Sequence, residues 1–280
     1  MTENQARRAA DVARAYYDTG DVDGFYAHAW GGEDIHVGLY EHEREAVGAA
    51  SGRTVDHLAA KAADVLGPGS TVLDLGSGYG GAARRLAGRF GCRVVALNIS
   101  EVQNRRHREL NAERGLDHLI EVVTGSFNEI PSPGARFDVV WSQEALCHSG
   151  DRALTLREAA RVLRPGGRLL FTDIMAAEDA PAAELRPLEE RLTVADLATP
   201  AFYHGLLPGL GLTDVEFDDL SEHMLTHYLR LEEEVGRDGP GLAGAVSDGY
   251  RARLRENLPL WSAACRKGHL RWGTFAARRA

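Results

Sequence analysis

A glycine-rich turn between Asp74 and Gly81 is the strongest chemical signal in the sequence. The segment Val72-Leu73-Asp74-Leu75-Gly76-Ser77-Gly78-Tyr79-Gly80-Gly81 has the pattern of a buried strand, a tight turn and the start of a helix. Open α/β sheets bind cofactors at such turns, because glycine lets the backbone approach the ligand and the helix N-terminus faces it. The Gly-X-Gly-X-X-Gly spacing alone also fits a dinucleotide site or a purely structural turn.

The acidic residue at the start of this turn distinguishes two classes of cofactor. A dinucleotide would bring its pyrophosphate close to the Asp74 carboxylate, which is unfavourable. S-adenosylmethionine carries an ammonium group and a sulfonium cation, so the same carboxylate favours its binding. A dinucleotide site also uses an acidic residue about twenty positions further on, where this sequence has Asn98. We therefore predict S-adenosylmethionine as the cofactor, with S-adenosylhomocysteine as its product, over a nucleotide-dependent oxidoreductase.

This chemistry determines what else the site must provide. Methyl transfer from a sulfonium is an in-line displacement, so the protein must mainly align the reacting atoms and exclude water. An amine acceptor must also arrive deprotonated, and the candidate catalytic residues are His148, His36 and Glu144. Asp151 is a further acid nearby, and hydrogen bonds to the backbone would explain each histidine equally well.

Recognition of an amino-acid acceptor would use aromatic faces for its ammonium group and cations for its carboxylate. Rings attract a growing ammonium through cation–π contacts, and the candidates are Tyr16, Tyr17, Trp30, Tyr40, Trp141 and Tyr203. A carboxylate would require an arginine or a backbone nest, and the candidates are Arg44, Arg152 and Arg186. Arg152 fits a capping role on the predicted helix after Asp151 equally well. We predict as substrate-binding residues Tyr17, His148, Arg152, Met175 and Tyr203.

The elements that must position these residues alternate between strand and helix. Apolar runs at 71–75, 93–98, 119–124, 137–142 and 167–173 are separated by amphipathic segments, and further strands are predicted at 213–217 and 270–276. This alternation predicts an α/β, Rossmann-like fold with a mostly parallel seven-stranded sheet and helices on both faces. A helix is also predicted at 46–66, before Gly67-Pro68-Gly69.

Two segments lie outside that alternation. Residues 1–50 concentrate aromatic, acidic and histidine residues, and we interpret them as an N-terminal arm whose segment 30–40 covers the methionine end of the cofactor. Residues 51–280 form the main domain, in which 221–267 is a helical insertion or lid before the last strand. A simple packing role remains an alternative for both segments.

Composition limits the possible partners and compartment. The formal net charge of −9 and the lack of a long basic block argue against nucleic-acid binding. No apolar run approaches the roughly 18 residues of a membrane span, and no signal-peptide pattern is present. Cys92, Cys147 and Cys265 are too far apart for a CxxC pair, so we expect reduced thiols and a cytoplasmic protein. The oligomeric state stays open.

The pair His223 and His227 has the i, i+4 spacing of metal ligands on a helix. No glutamate follows His223 and no third ligand is evident, so we predict no metal site. We interpret the pair as solvated or at the edge of the core.

Beyond the turn, several motifs resemble class I small-molecule methyltransferases. The resemblance is closest to the sarcosine/dimethylglycine N-methyltransferases of glycine betaine synthesis and spans nearly the whole chain. The general resemblance rests on Leu97-Asn98-Ile99-Ser100-Glu101-Val102-Gln103, Gly125-Ser126-Phe127, Phe137-Asp138-Val139-Val140-Trp141-Ser142-Gln143 and Val162-Leu163-Arg164-Pro165-Gly166-Gly167. The closer one rests on Trp30-Gly31-Gly32-Glu33-Asp34-Ile35-His36-Val37-Gly38-Leu39-Tyr40, on Ser142-Gln143-Glu144-Ala145-Leu146-Cys147-His148-Ser149-Gly150-Asp151-Arg152 and on Trp272-Gly273.

The resemblance implies a set of cofactor-binding residues. Gly76, Ser77 and Gly78 would contact the methionine half, Asn98 and Ile99 the ribose and adenine, Ser126 and Phe127 the adenine ring, and Ser142 with Gln143 the reactive end. With Trp30, Asp74 and Gln103, these are the predicted cofactor-binding residues.

The resemblance also implies the activity, methyl transfer to a small amine such as sarcosine or dimethylglycine. Two departures from the family pattern keep another acceptor open. Leu146-Cys147 replaces an expected aromatic and aliphatic pair, and Asp173-Ile174-Met175 lacks an expected proline. A natural-product methyltransferase acting at carbon, oxygen or nitrogen of a larger apolar acceptor is therefore the alternative, and a non-catalytic cofactor-binding module is a third.

Overall fold

A seven-stranded sheet organises the chain. The computed structural model describes residues 11–12, 14–15, 18–237, 242 and 244–280. Its strands are β1 (Thr71–Leu75), β2 (Arg93–Asn98), β3 (Ile120–Thr124), β4 (Phe137–Gln143), β5 (Leu163–Ala176), β6 (Leu212–Asp219) and β7 (Leu270–Arg279). The helices in the described part of the chain are α1 (Gly20–His28), α2 (Val47–Ala60), α3 (Gly81–Phe90), α4 (Glu101–Glu113), α5 (Arg152–Val162), α6 (Ala182–Leu192), α7 (Pro200–Leu206), α8 (Ser221–Gly236) and α9 (Asp248–Arg266).

The strand order explains where a ligand can bind. The order is β3-β2-β1-β4-β5-β7-β6, in which the strands from β3 to β5 are parallel and β7 runs antiparallel to both of its neighbours. The chain leaves β1 towards β2 and β3 and then returns to the other side of β1 as β4. A crevice opens at such a switch point, outside the carboxyl ends of the strands. The predicted α/β, mostly parallel seven-stranded fold is confirmed.

Both faces of the sheet are buried, which explains the nearly continuous apolar strand sequences. One core cluster contains Leu73 and Phe171, and another on the opposite side of β1 contains Val72 and Trp141. A third cluster joins residues 18–40, called the N-terminal segment below, to the two helices α8 and α9 and to β7. Trp272 is completely buried in this cluster.

Several predicted elements have different bounds in the structure, most clearly one helix and one strand. Helix α2 ends at Ala60 rather than at residue 66, because the amides of Ala62 and Ala63 bond to carbonyls three residues back and tighten the last turns. Strand β5 is longer than predicted, since β7 pairs with it as far as Ala176. The insertion at 221–267 consists mainly of α8 and α9, which pack against each other. No helix among the described residues has the length and apolar character needed to cross a membrane.

The close approach of β6 to β7 gives a test of this packing. A Cβ atom on Gly273 would lie 2.0 Å from the carbonyl oxygen of Asp218 and 2.7 Å from the Phe217 ring. We expect Gly273→Ala to lower the free energy of unfolding by about 1–3 kcal/mol, because this backbone has no room to move away. Chemical denaturation measures the change.

The matched control is Gly205→Ala in α7. A Cβ atom there would meet nothing within 4 Å, and alanine suits a helix better than glycine, so stability should stay the same or rise slightly. Equal effects of the two substitutions would contradict the packing described here.

Candidate active site

A cleft opens at the carboxyl ends of β1, β2 and β4. It is the crevice expected at the switch point of the sheet. Its lining comes from the glycine-rich turn, the ends of β2 and β4, and the N-terminal segment: Glu33, Asp34, Ile35, His36, Asp74, Gly76, Ser77, Gly78, Gly81, Ala82, Asn98, Ile99, Gln103, Phe127, Gln143, Glu144, Ala145 and His148.

The glycine-rich turn brings its backbone directly to the cleft. Gly76 and Gly78 have positive φ angles of 76° and 52°. A Cβ atom on Gly76 would lie 2.3 Å from the Ala145 side chain, which leaves no space for a larger residue. Asp74, at the end of β1, is 3% exposed, and burial raises its carboxyl pKa to about 7.

The end of β2 presents amide groups to the same cleft. The Asn98 side-chain amide donates to Gln103 Oε1 at 3.0 Å. The backbone N–H of Gln103 donates to the Ser100 hydroxyl at 3.1 Å, so Ser100 caps α4. Ile99 and Phe127 add an apolar wall. This combination suits a ribose hydroxyl pair beside a planar base.

The N-terminal segment closes the cleft from the other side. The Arg84 guanidinium, 4% exposed, donates to Glu33 Oε2 at 2.9 Å, and Arg114 also contacts this carboxylate. The Gly81 amide donates to the Glu33 carbonyl at 3.3 Å. Asp34 lies so close to the start of α3 that a Cβ atom on Gly81 would come within 2.1 Å of Asp34 Oδ1.

His36 and Asp34 form a buried pair within the cleft. His36 Nδ1 lies 3.2 Å from the Val37 carbonyl, to which it donates, so in the neutral ring the lone pair is on Nε2. His36 Nε2 is 3.5 Å from Asp34 Oδ1. Burial lowers the pKa of His36, but the Asp34 carboxylate and the charge of Glu144 outweigh it, so the pKa of His36 is raised.

Glu144 occupies a strained position directly after β4. Its φ of 44° is unusual for a residue with a side chain, and such strain is found at functional sites. The Trp272 indole donates to Glu144 Oε1, whereas Oε2 is buried without a hydrogen-bond partner. Burial raises the pKa of this carboxyl to about 7, with a smaller opposing effect from His36.

The cleft is therefore strongly acidic. Asp34 Oδ1, Asp74 Oδ2 and Glu144 Oε2 are all buried and without hydrogen-bond partners. Among the described residues that line it there is no lysine or arginine. Carboxylates in such a place are stabilised by a cationic ligand.

Most predicted cofactor residues lie on the cleft, with three exceptions. Trp30 is set back and donates its indole N–H to the His36 carbonyl at 3.1 Å. The Ser142 hydroxyl donates to the Leu75 carbonyl at 2.9 Å, and thus joins β4 to β1 rather than facing the cleft. Ser126 lines a smaller adjoining cavity with Ile99, Phe127 and His148.

Most of the predicted substrate-binding residues do not line the cleft. Tyr17, like Tyr16, lies outside the described residues. Met175 is fully buried in β5, and the buried Tyr203 donates to Asp173 at 2.5 Å. Arg152 donates to the Asp196 carboxylate at 2.5 Å. Only His148 of this set lines the cleft, and burial lowers its pKa to about 4.

Sequence reasoning missed the individual contributions of Glu33 and Asp34. The usable signal was the acidic pair next to Gly31-Gly32, in a segment that also contains Trp30 and Tyr40. In the part of the chain that the structure describes, no group of three or more histidine, cysteine or acidic residues is arranged to hold a metal ion.

Comparison with known proteins agrees with this geometry. A methyltransferase domain model matches residues 73–171. The chain is 45% identical over 272 residues to the sarcosine/dimethylglycine N-methyltransferase of Halorhodospira halochloris, covering 97% of both proteins. This chain belongs to the sarcosine/dimethylglycine N-methyltransferase family. It is an S-adenosylmethionine-dependent methyltransferase.

Two further relatives support the family assignment. The glycine/sarcosine/dimethylglycine N-methyltransferase of Actinopolyspora halophila is 47% identical over 96% of this chain, which spans 47% of that longer protein. A crystal structure from Galdieria sulphuraria, provisionally described as a sarcosine dimethylglycine methyltransferase, superposes with a TM-score of 0.88 at 37% identity and covers 95% of this chain and 99% of its own.

The methyltransferase cleft fits its cofactor. Three residues that line the cleft have buried polar atoms without hydrogen-bond partners: Asp74 Oδ2, Ser77 Oγ and Gln143 Nε2. Asp74 and Ser77 would hold the methionine half, and Asn98, Gln103 and Phe127 the nucleoside. When bound, S-adenosylmethionine supplies a methyl group on a positively charged sulfur.

The charge on Asp74 gives a test of this assignment. We expect Asp74→Asn to weaken S-adenosylmethionine binding by at least about tenfold, since hydrogen bonds to charged groups contribute about 1.5–3 kcal/mol. In the wild type, affinity should rise as pH increases through about 7, because a cationic ligand binds the deprotonated carboxyl and proton loss favours it. The variant should lose part of this pH dependence. Calorimetric titration across neutral pH measures both effects.

Asp64→Asn is the control, because Asp64 is exposed and pairs with Arg168 away from the cleft. It should leave the affinity unchanged. Wild-type affinity in the Asp74→Asn protein at every pH would rule out a role for this carboxylate in binding.

Proposed function

We propose that this enzyme transfers methyl groups from S-adenosylmethionine to the nitrogen of sarcosine and dimethylglycine. The observation that carries the proposal is Glu144 Oε2, which is buried without a hydrogen-bond partner in a cleft that His36 also lines. None of the described residues that line this cleft is lysine or arginine. An ammonium-bearing acceptor matches this charge. The names of the relatives with 40–47% identity support the same acceptors.

Glu144 and His36 would accept the proton that the amine must lose. Free sarcosine and dimethylglycine are ammonium ions at neutral pH, and nitrogen needs its lone pair to form the new bond to carbon. The proton passes to Glu144 Oε2 or His36 Nε2, while the electron pair of the broken sulfur–carbon bond stays on sulfur. A carboxyl pKa of about 7 suits a base that works near neutrality.

His148 is less suited to that role. Burial and the charge of Arg152 hold its pKa near 4, so the neutral ring is a weak base at neutral pH. We therefore assign His148 to the wall of the nucleoside pocket and leave proton transfer to the Glu144 and His36 pair.

That an arginine binds the carboxylate of the methyl acceptor stays a prediction. Arg44 is exposed, and Arg186 is exposed and pairs with Glu190 at 3.3 Å. Arg152 is the most buried of the three, and its Nε has no hydrogen-bond partner, although its terminal nitrogens bond to Asp196. Direct binding by Arg152 would use Nε or replace Asp196.

A product assay tests the proposed function. Purified enzyme is incubated with S-adenosylmethionine and, separately, glycine, sarcosine and dimethylglycine, and mass spectrometry follows S-adenosylhomocysteine and each methylated amine. We expect product from sarcosine and dimethylglycine. Tight cofactor binding with no product from either amine would contradict the proposal.

The proton-accepting role of Glu144 gives a sharper test. We expect Glu144→Gln to lower kcat by about 10²-fold or more, the usual range for a lost general base. Wild-type kcat should rise with pH through about 7 as the carboxyl loses its proton. In the variant this rise should be reduced to the contribution of His36. Steady-state kinetics over this pH range provide the measurement.

Glu113→Gln, an exposed substitution near the end of α4, is the matched control and should retain wild-type kcat. If the Glu144→Gln enzyme has a normal kcat and an unchanged pH profile, Glu144 is not the base, and His36 alone accepts the proton.

A further inference from the structure

The indole of Trp272 contacts the carboxyl of Glu144 directly. Trp272 lies on β7 and is completely buried. Its Nε1–H donates to Glu144 Oε1, whereas Glu144 Oε2 is buried without a hydrogen-bond partner. Glu144 itself lines the cleft. The two oxygens of this carboxyl are therefore in different environments, and Trp272 is the cause of the difference.

This contact determines which oxygen of Glu144 can take a proton. An indole N–H donates and never accepts, so Oε1 must offer it a lone pair whether the carboxyl is charged or neutral. A proton that reaches the carboxyl is therefore directed to Oε2. The hydrogen bond also stabilises the charged form, because its acceptor is a carboxylate oxygen.

The backbone at Glu144 fixes the residue but not its carboxyl. The φ angle of Glu144 is 44°, and its amide donates to the Thr172 carbonyl at 3.1 Å. Several rotatable bonds separate this backbone from the carboxyl, and each has more than one staggered position. The bond from Trp272 to Oε1 restricts these rotations, so it orients the carboxyl within the cleft.

Trp272 is itself held on both sides of its backbone. On one side β7 pairs with β5, where Trp272 is in register with Ile174. On the other side the Trp272 amide donates to the Ser221 hydroxyl at 3.0 Å, and the Trp272 carbonyl accepts from the Leu220 amide at 2.9 Å. Leu220 and Ser221 lie at the start of α8. The helical insertion therefore fixes the strand residue that holds the carboxyl of Glu144.

The same helix also holds the N-terminal segment that carries His36. His227 on α8 is interpreted from the sequence as solvated or at the edge of the core, but it is completely buried. Its Nδ1 accepts the Gly38 amide at 3.3 Å and lies 2.9 Å from the Tyr40 hydroxyl. His223, one turn earlier, accepts the Tyr40 amide at 3.1 Å. Both members of the proposed proton-accepting pair are thus held through contacts to α8.

Charged groups around Glu144 act on its pKa in both directions. Burial is the main reason why this pKa is raised to about 7, and the charge of Asp173 on β5 raises it further. The charge of His36 and the hydrogen bond from Trp272 lower it. Burial raises the pKa of Asp173 to about 6, so Asp173 is mostly charged in the range where Glu144 titrates.

Two other titratable groups near Glu144 stay neutral in that range. Cys147 follows β4 and Tyr228 lies on α8, and the charge of Glu144 acts on both. Burial raises the pKa of each well above its usual range. A change in the pH profile near neutrality therefore reports on Glu144, His36 and Asp173.

We propose that Trp272 is a positioning residue for methyl transfer, whose indole N–H holds Glu144 Oε1 so that Oε2 takes the proton of the acceptor amine. This role rests on the proposed function, because it assumes that Glu144 accepts this proton. The N–H bond of the ammonium group breaks, an O–H bond forms at Oε2, and the electron pair stays on nitrogen for the new bond to carbon. Trp272 remains a donor throughout and exchanges no proton with the amine.

Trp272→Phe tests this role, because it removes the donor and keeps an aromatic ring in the core. Without a hydrogen bond to the charged form, the apparent pKa in the kcat profile should rise by about one unit. We expect kcat for dimethylglycine to fall by about fivefold at about pH 7, since less of the carboxyl is deprotonated, and to recover most of the loss by about pH 9. Affinity for S-adenosylhomocysteine should stay close to wild type. Steady-state kinetics across this pH range and calorimetric titration measure these quantities.

Trp261→Phe is the matched control. Trp261 on α9 belongs to the same core cluster, and its ring stacks on Tyr228 with 5.0 Å between the centroids. The substitution should lower the unfolding temperature as Trp272→Phe does but leave the kcat profile in place. If Trp272→Phe does not fold, the comparison uses a protein in which Trp272 is replaced by 3-benzothienylalanine, which has the shape of tryptophan with sulfur in place of the N–H group.

A double variant tests whether Trp272 acts through Glu144. Glutamine has no carboxyl to titrate, so adding Trp272→Phe to Glu144→Gln should cause no further shift of the pH profile. A shift that persists in the double variant would overturn the inference, because it could not come from Glu144.

The remaining outcomes distinguish the inference from the proposed function. A wild-type enzyme that turns over neither sarcosine nor dimethylglycine would overturn the proposed function, and the inference with it. Wild-type turnover together with an unchanged kcat profile in folded Trp272→Phe would overturn the inference alone. A fall in kcat by the same factor at every pH would also overturn it, since a purely structural role of the ring has that effect.

Discussion

The enclosure of several carboxylates in one cleft is the constraint on which the rest of the structure depends. Burying an ionised carboxyl away from water is costly unless a partner compensates for the charge. Asp34, Asp74 and Glu144 each keep a buried oxygen without a hydrogen bond. The protein holds this arrangement by tying the N-terminal segment to α3 through Glu33 and Arg84 and by fixing Glu144 against Trp272. A cationic cofactor and an ammonium acceptor supply the missing compensation.

Local sequence carried most of the information about the sheet and its glycine turn. The bounds of β1 and β2 match the predicted strands, because both are short, mainly apolar runs followed by turn or helix-capping residues. Asp74, Gly76 and Gly78 could be placed from the same segment, since the strand, turn and helix are contiguous. The acidic character of the cofactor site was predicted from Asp74 alone.

Contacts between distant parts of the chain could not be predicted in the same way. The environment of His227 depends on Gly38 and Tyr40, and that of Arg152 depends on Asp196, so no local pattern reveals which of these side chains is buried or paired. Ser142 shows the complementary problem. It was predicted to face the reactive end of the cofactor, but its hydroxyl donates to the Leu75 carbonyl of the neighbouring strand instead of facing the cleft.

The contacts of the N-terminal segment also bear on how the enzyme forms during translation. Residues 18–40 leave the ribosome early, yet their partners include His227 and Ser247. The sheet strands β1 to β5 can therefore assemble around the glycine turn well before the segment has its final neighbours. At that stage the segment can already contact Gly81, Arg84 and Ser100, but not α8 or α9. The contacts with His227 and Ser247 become possible only when the last hundred or so residues have been made, about 5–20 seconds later at ordinary synthesis rates.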